Sequence, residues 1–492
     1  MASNKIIVLF IAAEAAPLVT AGGLGEVAYA LPRALTNLSN ASGDFEIDIR
    51  VVIPYYPFLD VDVYQPAKVA EFSINSINGQ VLAQVFQIEP EPGLIYYLID
   101  GEPVRNSRSS VYAFDAAEDG EKFTFFSLAA LEFARVINWK PDLLHANDWH
   151  TAAAVYWLAL NRKTDPFFQR TASLLNLHNL PYQGEGAGPA LQAYGLPPSE
   201  DPRLPEWARN VPLPLGLLAA DQIVAVSPGY AQEILTTEFG SGLSEFLNTR
   251  TETISGILNG IDTKVWDPQS DQDLPYNYSI DSLEKRKLNK TGLQQAYSLP
   301  QEERIPLLTM VTRFDHQKGV DLVLDALLQI ADLPWQAILL GSGHPDLENS
   351  ARRLEKILPD RLRTLILYDK SISRQLYGGC DAILIPSRYE PCGLVQMIGM
   401  RYGCVPIARA TGGLRDTISD YTRSAESTGF LFQGATPESL AGAIRRALYV
   451  YKLEEPWKEM QRRGMETDFS WMVSARNYAV LYNKVLANFR ST

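Results

Sequence analysis

Cysteine is scarce: the 492-residue chain has three, Cys380, Cys392 and Cys404. The number is odd and no two form a C-x-x-C pair, which leaves neither a disulfide framework nor a zinc ribbon and suits a reducing cytoplasm. Long apolar runs are missing as well. No stretch approaches the ~20 apolar residues that span a bilayer, so no membrane partner is expected. Positive charge is in deficit, with 44 Lys and Arg against 57 Asp and Glu, a net charge of −13. An acidic surface repels nucleic acid and anionic lipid. It suits an enzyme acting on a neutral polymer, and any anionic ligand would need a local basic site.

What is present describes a globular protein of more than one domain. The chain is 46% hydrophobic and 21% charged, too apolar for disorder. Its length exceeds one ordinary core, so two or three domains are expected. Near the N-terminus Lys5, the run Ile6 to Ala13 and Ala13-Glu14-Ala15 imitate a signal peptide. The run is short, ends at Glu14 and leads into a glycine turn and an amphipathic helix, so it is read as a first buried strand. Further apolar runs follow: Val51-Val52-Ile53 after the alternating Phe45, Ile47 and Ile49, then Leu143-Leu144, Leu174-Leu175 and Ile223 to Val226. Such runs typify parallel strands covered on both faces. Val27, Ala30, Leu31, Ala34 and Leu35 form one helical face, interrupted by Pro32, which should free the Ala28 carbonyl.

The pattern restarts with Leu307 to Val311, Ala337 to Leu340, Thr364 to Leu367, Ala382 to Ile385 and Val405 to Ala408. An α/β protein of two doubly wound, Rossmann-like domains facing a cleft is expected. The predicted division is an N-terminal domain over 1–265, a polar linker over 266–303 and a C-terminal domain over 304–470. A final helix over 471–492, apolar at Val473, Tyr478, Leu481, Tyr482 and Val485, should cross back onto the first domain. One echo supports two similar halves: Gly22-Gly23-Leu24 follows the first strand, and Gly412-Gly413-Leu414 follows the strand ending at Ala408.

Several residues at strand ends have the chemistry of a ligand site. Gly22 and Gly23 lack a Cβ, so their backbone N–H groups can approach a phosphate at a helix N-terminus, although a plain turn would look the same. Arg313 and Lys318 follow a strand five positions apart and can point at one diphosphate, Arg as a fork and Lys as a point charge. Glu390 lies just past Ile383-Leu384-Ile385-Pro386, where a carboxylate can accept from sugar hydroxyls or can cap the next helix. Cys392 reads as a small buried filler. His178 follows a strand ending at Leu177, as a ligand-site or a core histidine. Asn147-Asp148 follows Leu143-Leu144 in the same way, and Asn259-Gly260-Ile261-Asp262 closes the first half.

Taken in order, these pieces resemble the bacterial glycogen synthase and plant starch synthase family, of the two-domain GT-B class. The matching segments include Glu14-x-x-Pro17 with Gly22-Gly23-Leu24, Asn147-Asp148-Trp149-His150, His178-Asn179 with Tyr182-Gln183-Gly184, and Val226-Ser227-Pro228. In the second half they are Arg313 with Gln317-Lys318-Gly319, Ser387 to Leu394, Met400-Arg401-Tyr402-Gly403, Thr411 to Leu414 and Phe469-Ser470-Trp471. The resemblance implies that Arg313 and Lys318 hold the donor diphosphate. It places Glu390 and the backbone of Cys392, Gly393 and Leu394 on the transferring glucose, with His178 opposite. Tyr368 would stack on the base, and Glu14, Asp148 and Asn259 would line the cleft. The implied partners are ADP-glucose and an α-1,4-glucan, the implied reaction is glucosyl transfer with retention, and no metal or other cofactor is expected.

Two positions depart from the family. Thr20 stands where lysine is usual, and Glu26 where aspartate is usual. Both fall in the loop between donor and acceptor, so a weakly active glucan-binding or priming homologue is one alternative. A related transferase using another sugar nucleotide or acceptor is a second. A third, a metal-dependent single-domain transferase, would use an Asp-x-Asp pair such as Asp60-Val61-Asp62 or Asp271-Gln272-Asp273.

Overall fold

A computed structural model describes residues 5–42, 46–107 and 109–491; Phe45, expected in the second strand, lies outside them. The chain forms two compact units, residues 1–259 with 471–492 and residues 260–470. The expected linker over 266–303 is part of the second unit. Its helix Arg286–Ala296 buries Arg286, Asn289, Lys290, Leu293 and Gln294. Arg286 donates to the carbonyls of Tyr377, Tyr402 and Cys380, and Lys290 donates to those of Glu303 and Ile305. Polar composition misled here because these long side chains are buried as hydrogen-bonded struts, the condition under which burial of charge is tolerated.

Among its described residues unit one holds nine strands: β1 (Lys5–Ile11), β2 (Glu46–Pro54), β3 (Ala67–Ser76), β4 (Gly79–Glu91), β5 (Leu94–Gly101), β6 (Leu143–Asn147), β7 (Ala172–Leu177), β8 (Gln222–Ala225) and β9 (Ile254–Gly256). Their spatial order is β3-β4-β5-β2-β1-β6-β7-β8-β9. From β5 to β9 every pairing is parallel, while β3, β4 and β5 form an antiparallel edge. Val8, Phe10 and Ile11 are fully buried, which fits the core strand read from the sequence. The helix Gly23–Ser42 continues through Pro32. The final helix Trp471–Ser491 packs on it and buries Ala475, Tyr478, Ala479, Tyr482 and Val485.

Unit two is a six-stranded parallel sheet: β10 (Leu307–Val311), β11 (Gln336–Leu340), β12 (Leu362–Leu365), β13 (Ala382–Ile385), β14 (Val405–Arg409) and β15 (Phe430–Phe432), in the order β12-β11-β10-β13-β14-β15. Strand order reverses between β1 and β6 in unit one and between β10 and β13 in unit two. Open parallel sheets bind ligands beyond the carboxyl ends of strands at such reversals. Among the described residues no helix is long and apolar enough to cross a membrane.

Candidate active site

In unit two the reversal point brings together residues far apart in sequence. The loop after β10 turns at Gly319, with φ +70°. A Cβ there would lie 2.4 Å from the Pro386 carbonyl, so only glycine lets this loop rest on the end of β13. The Arg388 N–H donates to the Gln317 carbonyl at 2.7 Å and locks the two loops together. Lys318 Nζ then stands 2.6 Å from Glu390 Oε2, which also accepts from the Ser387 hydroxyl at 2.8 Å. The helix Val395–Arg401 has Leu394 at its N-cap, and Glu390 is not its cap. Glu390 is buried, Arg313 is largely exposed with Asp315 3.4 Å away, and Tyr368 stands exposed after β12.

The two glycine pairs have different jobs. A Cβ on Gly412 would sit 2.1 Å from the Glu390 carbonyl, and one on Gly413 2.1 Å from that of Cys392. The second pair therefore lets the turn after β14 press on the Glu390–Cys392 backbone and hold it in place. Gly393, at φ +74°, completes that segment; Cys392 is buried and Leu394 half-buried.

In unit one the first pair is held by Glu14. This carboxylate is buried and accepts from the N–H groups of Ala21 and Gly22. The Gly22 N–H, expected to face a phosphate, is thus directed at Glu14 instead, because burial of Glu14 demands donors. Burial raises the Glu14 pKa, and the backbone donors oppose the rise. Gly23 opens the helix that carries Glu26, which is exposed in its first turn. Thr20 is exposed, and its side chain has no hydrogen-bond partner among the described residues.

Tyr112, which sequence reasoning missed, donates to Glu14 Oε1 at 3.4 Å. Its loop is pinned on both sides. Buried Lys122 donates to the Val111 carbonyl at 2.6 Å and to Asp119 at 2.6 Å, while Asp119 accepts from the Ala113 N–H at 2.9 Å. The signal available was Asp119 and Lys122 at i, i+3 on one helix.

Asp148 and His178 meet at the ends of β6 and β7. Asp148 Oδ1 accepts from the backbone N–H groups of His178 at 2.7 Å and Asn179 at 3.3 Å. The Asp148 backbone has φ +55° and ψ −169°, a region that strains any residue with a Cβ. His178 Nε2 lies 2.9 Å from Asn147 Oδ1, while Asn147 Nδ2 donates to the Ile11 carbonyl at 2.9 Å. Asn147 is thereby oriented, and Asn176 Nδ2 lies 3.1 Å from the same ring nitrogen, so His178 Nε2 is held between two asparagine side chains. Burial pushes the His178 pKa down to about 3, so the ring is neutral near pH 7. Tyr478 of the final helix donates to Asn176 Oδ1 at 3.1 Å and so braces this network. Asn179 Oδ1 and Asn259 Oδ1 are buried acceptors without a donor among the described residues.

Asp148 gives a pH prediction. Burial raises its pKa from 3.8 to about 7. Between those values the folded state holds a proton that the unfolded state has lost, so this group's contribution to stability falls as pH rises through that window. The Asp148→Asn side chain keeps Oδ1 for both N–H groups and carries no charge. Relative to the parent protein, it should gain stability progressively from pH 5 to pH 8, by roughly 1–3 kcal/mol in all. Denaturant midpoints across that range measure it; a constant difference would contradict the assignment.

Among the described residues no group of three or more His, Cys, Asp or Glu side chains could hold a metal ion. Of the Asp-x-Asp candidates, Asp271 is buried, bonded to Arg374 at 2.9 Å and to the Tyr402 hydroxyl. Asp62 begins a short 3-10 turn.

Comparisons with known proteins agree with this layout. Residues 7–249 match the family model described as starch synthase catalytic domain, and residues 295–464 match glycosyl transferases group 1. A glycogen synthase from Aromatoleum aromaticum is 38% identical over 491 residues, covering 97% of each chain. One from Anaeromyxobacter sp. is 35% identical over 494 residues, covering 98% of this chain and 99% of its own. The catalytic domain of starch synthase IV from Arabidopsis thaliana, solved with ADP and acarbose, superposes with a TM-score of 0.86 and 32% identity. That match covers 98% of this chain and 100% of the other.

Proposed function

Because the chain belongs to the glycogen and starch synthase family of glycosyltransferases, we propose that it transfers glucose from ADP-glucose to the non-reducing end of an α-1,4-glucan with retention of configuration. The observation that carries this reading is the Lys318–Glu390 pair, 2.6 Å apart at the strand reversal of unit two, with Arg313 exposed on the same loop. A cation for a diphosphate and a carboxylate for sugar hydroxyls stand together there. The Arabidopsis relative's complex with ADP and acarbose supports the same classes of donor and acceptor.

In the proposed reaction the bond between glucose C1 and the diphosphate oxygen breaks, and ADP leaves with the electron pair. The acceptor hydroxyl forms the new bond to C1 and passes its proton to the departing diphosphate oxygen. Negative charge grows on the diphosphate, where Lys318 and Arg313 stabilise it; preorganised charge of this kind acts most strongly in the transition state. We assign Glu390, Cys392, Gly393 and Leu394 to the glucose, and Tyr368 to the base by stacking. Neutral His178 donates no charge, and the Asn179 and Asn259 carbonyl oxygens, which lack donors among the described residues, suit hydroxyl groups. The two arms of positive charge let the reaction proceed without a bound metal or other cofactor.

Product analysis tests the linkage and donor. Incubation with ADP-glucose or UDP-glucose and maltooligosaccharide should give, from ADP-glucose, products longer by one glucose. Proton NMR should show the new anomeric signal as α. A β signal, or extension from UDP-glucose alone, would refute this function.

A further inference from the structure

Unit two contains a cavity of about 790 Å³ between the ends of β14 and β15 and the start of the helix Pro437–Tyr451. Neither Lys318 nor Glu390 lines it, but three guanidinium groups do, those of Arg415, Arg423 and Arg446. The carboxylates on its wall are engaged elsewhere. Asp420 accepts from the Leu431 N–H at 2.8 Å and from the Thr422 hydroxyl, and Glu438 accepts from Gln329 Nε2 at 3.2 Å. Arg423 is exposed and forms no ion pair among the described residues. Arg446 donates from one terminal nitrogen to the Leu431 carbonyl at 2.8 Å. Its Nε is buried and has no acceptor among the described residues. A buried donor in that condition is costly unless something supplies an acceptor.

Gly442 is a second, independent observation. It lies inside a helix of 15 residues, where glycine disfavours the helix more than any residue but proline. A Cβ at this position would meet nothing within 4 Å, so packing does not require glycine. The bare position instead keeps the cavity wall open. The N-terminus of this helix is already satisfied, with Thr436 Oγ1 accepting from the Ser439 N–H and Glu438 in the first turn, so an anion in the cavity is left to the guanidinium groups.

We propose that this cavity binds a small phosphate ester, a hydroxylated body carrying one phosphate. Arg446, Arg423 and Arg415 take the phosphate; guanidinium forks match its oxygens. The hydroxyls of Thr422 and Ser439 face the body. The volume falls in the range of small-molecule pockets and exceeds what a bare phosphate ion fills. The site is independent of the glucosyl-transfer residues assigned above.

Isothermal titration of the full-length protein with fructose 6-phosphate tests it, with fructose and inorganic phosphate as separate arms. Saturable binding of the ester is expected, with fructose silent and phosphate weaker. Gly442→Leu fills the open space and should abolish binding while favouring the helix. Arg423→Met, which removes no structural contact, should weaken binding about tenfold. Both variants should keep the parent's glucosyl transfer in the absence of ester, and Lys318→Ala should bind the ester normally. Four results would overturn the proposal: no saturable binding, undiminished binding to Gly442→Leu, loss of binding in Lys318→Ala, or inorganic phosphate binding as tightly as the ester.

Discussion

Lys318→Ala is expected to lower kcat/KM for ADP-glucose by about a hundredfold or more, with most of the loss in kcat. Two losses combine. The diphosphate loses a charge-assisted contact, worth roughly 1.5–3 kcal/mol, in a partly desolvated site. Glu390, buried and 2.6 Å from the ammonium, also loses the partner that positions its carboxylate. Removing one member of a buried pair costs more than the pair's net worth, because the remaining charge is stranded. Glu390→Gln should lower kcat as well, since the carboxylate is assigned to the reacting sugar. The two changes share one ion pair, so the double variant should lose less than the sum of the singles. Steady-state kinetics of the four proteins measures this; strict additivity would show that Lys318 and Glu390 act separately, and unchanged turnover in either single would remove that residue from the site.

Thr20→Lys is expected to raise kcat/KM for ADP-glucose about ten- to a hundredfold, the rate equivalent of one charge-assisted contact of roughly 1.5–3 kcal/mol. Thr20 is exposed and its side chain bonds to nothing among the described residues, so a longer cation displaces no internal contact. The loop that carries it is fixed independently. Glu14 holds Ala21 and Gly22, and Gly25 lies so close to the Val19 carbonyl, 2.9 Å from where a Cβ would be, that the turn cannot slide. The parent enzyme is therefore expected to be slow but active, with Arg313 and Lys318 carrying the diphosphate. A fall in kcat/KM, or no change, would mean that the loop has been built around threonine and that the family's lysine has no counterpart here.

The sequence showed the parts of the fold that are chemically simple. β1, β6, β7, β10, β13 and β14 are short apolar runs that end at a polar or turn residue, and their covered faces leave little alternative. β3 to β5 were not read, although Asn78-Gly79 marks the first hairpin turn. β3 at the sheet edge is mostly exposed, so its residues alternate weakly and resemble a loop. The stretch 266–303 failed for the opposite reason: its charged side chains are buried by hydrogen bonds to carbonyls that sequence does not locate.

In the candidate site, residue types and strand ends were legible but partnerships were not. Lys318 and Glu390 are 72 positions apart and meet only because β10 and β13 are neighbours at the reversal of strand order. The missing Cβ of Gly22, visible in sequence, suggests a phosphate contact, whereas the Glu14 carboxylate that claims its N–H is visible only in the fold. Tyr112 was passed over because its link to Glu14 depends on Lys122 and Asp119 clamping the intervening loop. Local chemistry is encoded at single positions, but a site made at the edge of a parallel sheet depends on which strands become neighbours.

Glucosyl transfer from a sugar nucleotide to an α-glucan can be followed in the polymer itself. Its most direct test is incubation of the purified protein with ADP-glucose labelled in the glucose, together with glycogen, followed by precipitation of the polymer and counting of label. Label in the polymer is expected to rise with time, to be released by an α-1,4-specific glucosidase, and to accumulate about a hundredfold or more slowly with Lys318→Ala. Polymer without label above a no-enzyme control, under conditions in which the protein is folded, would contradict it.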